Sequence, residues 1–367
     1  MSKLKICVYA ICKNEEKFVD PWMDSMGEAD LVIVLDTGST DNTVERLRSR
    51  GAVVYEEVFS PWRFDTARNS SLAKVPEDVD ICICTDLDEL LNKGWRELLE
   101  SSWQKSIDSG AVGLRKGRYL YNWSLKEDGS PDVQFYYTKV HSRKGFRWKC
   151  PVHEYLHYAA KTPLITVDID GMVLNHYPDP SKSRSSYYTL LEMGVQEAPT
   201  DDRMRYYLGR EYMYLSMWED CIRTCKEYIE MPSATWDDER CAAMRWIAKS
   251  YSKLGQKELA YQWFFKAIGE QPKMRDPFVE FALYANKEKD WELSYYLAIE
   301  ALKIKEKSKT FVNSGQAWGY IPYDTASISA YYMGLYNEAY KYAMLALEDE
   351  PDNERLQNNM MFCKQKL

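Results

Sequence analysis

The sequence contains no run of about 18 apolar residues, the length a helix needs to cross a bilayer, so no membrane-spanning helix is expected. Nor does it carry an excess of basic charge. Its 48 Lys and Arg stand against 56 Asp and Glu, a net charge of −8. That balance argues against nonspecific nucleic-acid binding, which rests on basic patches. The nine cysteines are odd in number and include no CxxC pair, which points to a reduced, cytoplasmic chain rather than a disulfide framework. The first residues, Met-Ser-Lys-Leu-Lys-Ile-Cys-Val-Tyr-Ala, lack the apolar core and cleavage site of a secretory leader. Histidine is scarce, and all four copies lie at 141, 153, 157 and 176.

Aromatic residues, by contrast, are plentiful. The 28 Tyr and 12 Trp supply amphipathic packing surfaces and suit a sugar- or peptide-binding groove. A length of 367 residues accommodates two domains.

Apolar runs at 4–11, 31–35 and 81–84 read as strands buried on both faces. Between them lie helical stretches: one opening at Asp20-Pro21, one from Thr43 towards Gly51, and one holding Asp65-Thr66-Ala67-Arg68-Asn69. With a further strand at 52–58 the order is β-α-β-α-β-α-β, which predicts a parallel sheet with right-handed crossovers. From about 111 to 177 the alternation changes to that of antiparallel or edge strands. The polar stretch 178–186 reads as a loop and as the seam between a first domain, 1–180, and a second, 181–367.

The second domain is helical and repeats itself. Gly255, Ala260, Phe264, Ala267 and Pro272 share their spacing with Gly334, Ala339, Ala343, Ala346 and Pro351. Cys221 and Ser294 fit the same frame, with offsets of 39, 34 and 45 residues between units. Small residues at these positions let paired helices approach closely, as in helical-repeat solenoids.

Three strand ends carry the polar residues. The first leads into Cys12-Lys13-Asn14-Glu15-Glu16, the second into Asp36-Thr37-Gly38-Ser39-Thr40-Asp41-Asn42-Thr43, and the fourth into Asp86-Leu87-Asp88-Glu89. The carboxyl ends of strands in an open α/β sheet are where ligands bind. Two aspartates at i and i+2 would share one side of an extended backbone and offer hard oxygen ligands to Mg2+ or Mn2+. Each feature also has a structural reading. Asp41 caps a helix, Glu15 and Glu16 are first-turn acids, and Glu89 is either an outer-shell group or a cap.

Taken together, Ala-Ile-Cys-Lys-Asn-Glu-Glu, Leu-Asp-Thr-Gly-Ser-Thr-Asp-Asn-Thr, Ala-Arg-Asn and Asp-Leu-Asp-Glu resemble the motifs of the family 2 glycosyltransferases. Those are inverting enzymes of GT-A fold, an α/β Rossmann-like architecture, that use nucleotide-sugar donors. Val152-His153-Glu154, Asn175-His176-Tyr177 and the helical repeats resemble a subgroup that adds an all-α, tetratricopeptide-like (TPR-like) tail.

The resemblance implies a hexosyltransferase with a UDP-hexose donor and a divalent cation, Mn2+ or Mg2+. It implies nucleotide binding by Asp36 and by Asn14, Glu15 or Glu16, with Arg68 meeting a phosphate or pinning the Asp86–Asp88 turn. Asp88 and Asp86 are the expected metal ligands, with His176 or His153 as a third, and Glu154 is the expected base, with Asp128 and Asp132 as alternatives. Lys182 and Arg184 are candidates for closing over the diphosphate. The helical domain suits a peptide or protein acceptor, or self-association into an oligomer. Three other readings remain open: a saccharide or lipid-linked acceptor in surface-glycan synthesis, a nucleotidyltransferase or other nucleotide-sugar enzyme using the same crevice and metal, and a non-catalytic adaptor with a vestigial first domain.

Overall fold

The computed structural model describes residues 4–179 and 187–367. Lys182, Arg184 and most of the expected seam at 178–186 lie outside the described residues. The chain divides into two compact units, Met1–Gly194 and Val195–Leu367.

The first unit is built on one eight-stranded mixed sheet. Its strands are β1 (Ile6–Cys12), β2 (Leu31–Asp36), β3 (Val53–Glu56), β4 (Ile81–Cys84), β5 (Glu89–Leu91), β6 (Leu114–Leu125), β7 (Pro131–Ser142) and β10 (Leu164–His176). Their spatial order is β3-β2-β1-β4-β7-β6-β10-β5. The first four are parallel to one another, and β7 joins β4 antiparallel. A separate hairpin pairs β8 (Phe146–Lys149) with β9 (Tyr155–Tyr158).

The helices of this unit are α1 (Val19–Met26), α2 (Thr43–Ser49), α3 (Phe64–Ala73), α4 (Trp95–Asp108) and α5 (Tyr187–Glu197), the last running across the division. Side chains alternate across the central strands. Ile6, Val8, Ala10, Val34, Ile81 and Ile83 face one core with Trp22 of α1 and Trp95 of α4. Cys7, Tyr9, Ile33, Cys82 and Cys84 face another, with Leu72 of α3 and Trp148. Four of the scattered cysteines, Cys7, Cys12, Cys82 and Cys84, are therefore strand residues of these two cores. At α1 the expected cap is corrected. The helix begins one residue before Asp20, whose carboxylate instead pairs with Arg46 and Arg50.

The second unit is a series of helical hairpins. They are α6 (Asp202–Tyr214) with α7 (Trp218–Glu230), α8 (Asp237–Lys253) with α9 (Lys257–Glu270), α10 (Asp276–Lys287) with α11 (Trp291–Lys303), and α12 (Ile321–Tyr332) with α13 (Tyr336–Asp349). Helix α14 (Glu354–Lys364) follows. The repeat frame read from the sequence is the packing frame: Ala260, Ala267, Ala298, Ala301, Ala339 and Ala346 are fully buried. Gly209 shows why these positions are small, since a Cβ there would lie 2.6 Å from Cys225 Sγ on the paired helix. The first helices of successive repeats, α6, α8, α10 and α12, also pack on one another.

Candidate active site

Because β1 lies between β2 and β4, with Cys12 level with Asp36 and Tyr9 level with Cys84, the three polar segments leave the sheet at one edge. Two of them are fastened to each other. Asn14, at φ 55°, donates its N–H to Ser39 Oγ at 2.8 Å, and its side-chain oxygen accepts from the Thr40 N–H at 2.7 Å. Thr43 Oγ1 accepts from the Glu15 N–H at 2.8 Å, and Glu16 Oε1 accepts from the Asn42 side chain at 3.1 Å.

Asp36 is buried, and its carboxylate holds the turn that follows it. Oδ2 accepts from the Gly38 and Ser39 N–H groups at 3.0 and 2.9 Å, and Oδ1 accepts from the Ser39 hydroxyl. Gly38, at φ 106°, permits that turn. Asp41 is not the cap of α2, which is Asn42; it lies one residue before it and holds the helix entry by accepting from the Thr43 N–H at 3.0 Å.

The fourth segment differs from its expected shape. Strand β4 stops at Cys84, and Asp86-Leu87-Asp88 forms a turn rather than extended chain. Leu87, 1 % exposed, drops into the core and anchors that turn. The two aspartates consequently engage different partners. Asp86 Oδ1 accepts from Arg68 Nη2 at 2.8 Å, and Oδ2 lies 3.4 Å from Lys139 Nζ. Asp88 Oδ2 faces His176 Nε2 at 3.6 Å. The other ring nitrogen of His176, Nδ1, donates to the Trp123 carbonyl at 2.9 Å. In the neutral ring that bond leaves Nε2 as the lone-pair nitrogen, the form that ligates a metal.

Arg68 is the hub. Only 4 % exposed, it sits on α3 with its Nε donating to Glu154 Oε1 at 2.5 Å, and its guanidinium lies over the Trp148 ring at 5.2 Å. Burial opposes its charge, but Asp86 and Glu154 outweigh that and hold its pKa well above the ordinary value. The next residue, Asn69, exchanges two hydrogen bonds with the Trp148 backbone, at 2.9 and 2.8 Å. Helix α3 thereby fixes β8 and, beyond it, Glu154. His153 lies in the turn just before Glu154, at φ 50°, edge-on to the Tyr187 ring. Asp128 and Asp132 bond within the β6–β7 hairpin, to the Ser130 N–H and the Ser124 hydroxyl.

Sequence reasoning missed Lys139. It is 5 % exposed and bonds to both Glu89 oxygens, at 3.2 and 3.3 Å, as well as to Asp86. Burial disfavours its charge, yet Asp86 and Glu89 together push its pKa well up. Glu89, in turn, accepts from the Asp86 N–H at 2.9 Å and from the Tyr121 hydroxyl at 2.8 Å. Burial raises the Glu89 pKa, with Lys139 opposing. The signal was the i, i+2 series Tyr137, Lys139, His141 on β7, a lysine among residues that share one face.

Among the described residues, no three His, Cys, Asp or Glu side chains converge as a ready-made metal site. Asp88 and His176 supply two donors. The carboxylate is the hard oxygen donor that Mg2+ or Mn2+ takes beside substrate phosphate and water, and the imidazole adds a nitrogen donor.

No family model matches the chain. A stretch of 121 residues is 30% identical to the lipopolysaccharide core biosynthesis glycosyltransferase LpsC of Rhizobium meliloti (strain 1021), covering 32% of this chain and 44% of that protein. The match thus spans less than half the length of this curated relative. The amino-terminal region is glycosyltransferase-like. Among solved structures, the chain has partial likeness to MamA (17% identity, TM-score 0.38, covering 49% of this chain and 99% of that one). A tetratricopeptide repeat protein from Parabacteroides merdae ATCC 43184 is similar at 14% identity and a TM-score of 0.38, over 50% of this chain and 66% of that one. Among the described residues no helix is long and apolar enough to cross a membrane.

Proposed function

We propose that the amino-terminal unit is an inverting hexosyltransferase that uses a UDP-hexose donor with Mn2+ or Mg2+. The observation that carries this reading is the Asp88–His176 pair at 3.6 Å, with the ring tautomer set by Trp123, at the carboxyl ends of β4 and β10 in the mixed sheet. Asp88 and His176 would hold the cation, which when bound neutralises the leaving diphosphate. Asp86 is engaged by Arg68 and Lys139 and acts as the charge anchor of the turn.

The loops after β1 and β2, with Asn14, Glu15, Glu16 and Asp36, border the nucleoside side of the same edge. Glu154, positioned by Arg68, takes the proton from the acceptor nucleophile. That nucleophile forms the new bond to the anomeric carbon as the bond to the diphosphate breaks. The helical unit supplies the surface for a peptide or protein acceptor. The name of the R. meliloti relative favours a second reading, in which the acceptor is a saccharide.

The test is incubation with a panel of nucleotide sugars and Mn2+. Release of free UDP with one sugar, lost in Asp88→Ala, is the expected result. Release of pyrophosphate would instead mean nucleotidyl transfer, and absence of any donor binding or turnover would favour a non-catalytic adaptor.

A further inference from the structure

The connection between α11 and α12 covers residues 304–320, whereas the other repeats are joined by 231–236, 271–275 and 350–353. This is the extra chain behind the wide 45-residue offset in the repeat frame. It runs back over the first helices of the preceding repeats. Arg275 Nε, at the start of α10, donates to the Ile304 carbonyl at 2.6 Å. Asp276 Oδ1 accepts from the Ser314 N–H at 2.5 Å, and Arg245 Nη2 of α8 donates to the Val312 carbonyl at 2.9 Å. The Phe311 ring reaches α6, where it stacks on Tyr207 at 6.4 Å and meets Tyr206 at 6.5 Å, with Trp236 edge-on at 5.4 Å. Thr310 and Val312 beside it are buried.

One short stretch therefore offers a backbone carbonyl, a backbone N–H and an aromatic side chain to three neighbouring helices. That is the way a groove holds a separate peptide. The groove floor also has capacity that this occupant does not use. Arg245 Nη1 lies 3.2 Å from Asp276 and 3.1 Å from Glu280, all three residues at least nine-tenths buried. Arg245 Nε, Asp276 Oδ2 and Glu280 Oε2 are nonetheless left without hydrogen-bond partners. Such atoms are uncommon in folded proteins, and a water, an ion or a further polar group would satisfy them.

We propose that residues 304–314 are a tethered stand-in for a separate polypeptide. The groove over α6, α8 and α10 takes an extended segment with an aromatic side chain in the Phe311 position and a nearby amide or basic side chain that donates to Asp276 and Glu280. The chain's own segment must leave for that polypeptide to enter. Being tethered, it competes at a high effective concentration and weakens the apparent affinity of any outside peptide. The competition is read by binding alone, so its failure and the failure of the proposed transfer reaction are distinguishable.

The test uses the full chain and a fluorescein-labelled peptide with the sequence of residues 304–316, followed by fluorescence anisotropy. Phe311→Ala, which loosens the built-in occupant, should bind the peptide at least about 10-fold more tightly than the native chain, in line with relief from a tethered competitor. A peptide with Ala in the Phe311 position should bind neither protein. Equal affinity for both proteins, or binding to neither, overturns the proposal. Should Phe311→Ala unfold, hydrogen exchange on the native chain decides. Excess peptide must speed exchange at the Ser314 N–H while leaving the α8 amides unchanged, and an unaltered Ser314 rate refutes displacement.

Discussion

Asp88 Oδ2 and His176 Nε2 face each other across 3.6 Å, and the Trp123 carbonyl holds the imidazole in that attitude from its other side. Asp88 immediately precedes β5 and His176 is the last residue of β10, level with Glu89 across the antiparallel β5–β10 pair, so the two side chains meet through neighbouring strands.

His176→Ala should lower Mn2+-dependent donor hydrolysis by at least about 10-fold, the lower end of what losing even an outer-shell group costs a metal site. Asp88→Ala should remove the metal dependence altogether. Hydrolysis measured against Mn2+ concentration separates the two. A His176→Ala enzyme with an unchanged Mn2+ requirement would take His176 out of the ion's surroundings.

Arg68→Ala should destabilise the protein by about 3–5 kcal/mol, because removing one partner of a buried ion pair leaves carboxylates uncompensated. Here those carboxylates are Asp86 and Glu154. Urea unfolding measures the loss. Arg68→Lys keeps the charge but cannot fork between two carboxylates, so it should restore only part of the stability.

Lys139→Met should be destabilising by a similar amount, and the double variant Lys139→Met/Glu89→Gln much less so than the sum. A coupling energy of about 0.5–3 kcal/mol from the cycle is expected for groups in one network. Additive effects would mean that the 3.2 Å Lys139–Glu89 pair contributes little.

His141 gives the pH dependence a sign. Its Nε2 faces the Tyr9 hydroxyl at 2.9 Å, which in turn accepts from Trp148 Nε1 at 2.9 Å, and its Nδ1 donates to the Ser142 carbonyl. Burial pushes its pKa down to about 4 from the ordinary 6.5. The unfolded chain therefore binds the proton first. Stability is intact above about pH 6.5 and falls as pH drops towards about 4, by about 3 kcal/mol at full extent. His141→Gln retains a donor and an acceptor but does not titrate, so it should flatten this part of the unfolding-midpoint profile.

Much of this was legible in the chain. Apolar runs located the strands β1, β2 and β4, and small residues at fixed intervals gave the helical frame, because both signals are local. Arg68 was singled out with both of its roles left open, and its guanidinium pairs with Asp86. Lys139 was not found, since the i, i+2 series around it marks only which face of β7 it shares, and its partners lie some fifty residues earlier. The turn at Asp86–Asp88 departed from the extended geometry because Leu87 was claimed by the core. The 45-residue offset before α12 corresponds to the long connection 304–320, but nothing local linked Phe311 to Tyr206 and Tyr207.

The exchange of hydrogen bonds between Asn69 and the Trp148 backbone has a bearing on covalent modification. Asn69-Ser70-Ser71 and Asn122-Trp123-Ser124 both match the acceptor pattern for N-linked sugar. In the folded protein the Asn69 amide is spent on Trp148, while that of Asn122 is spent on Asn175 and Gln134. Neither nitrogen is presented to an oligosaccharide-transferring enzyme, so both sequons would stay bare once the sheet has formed.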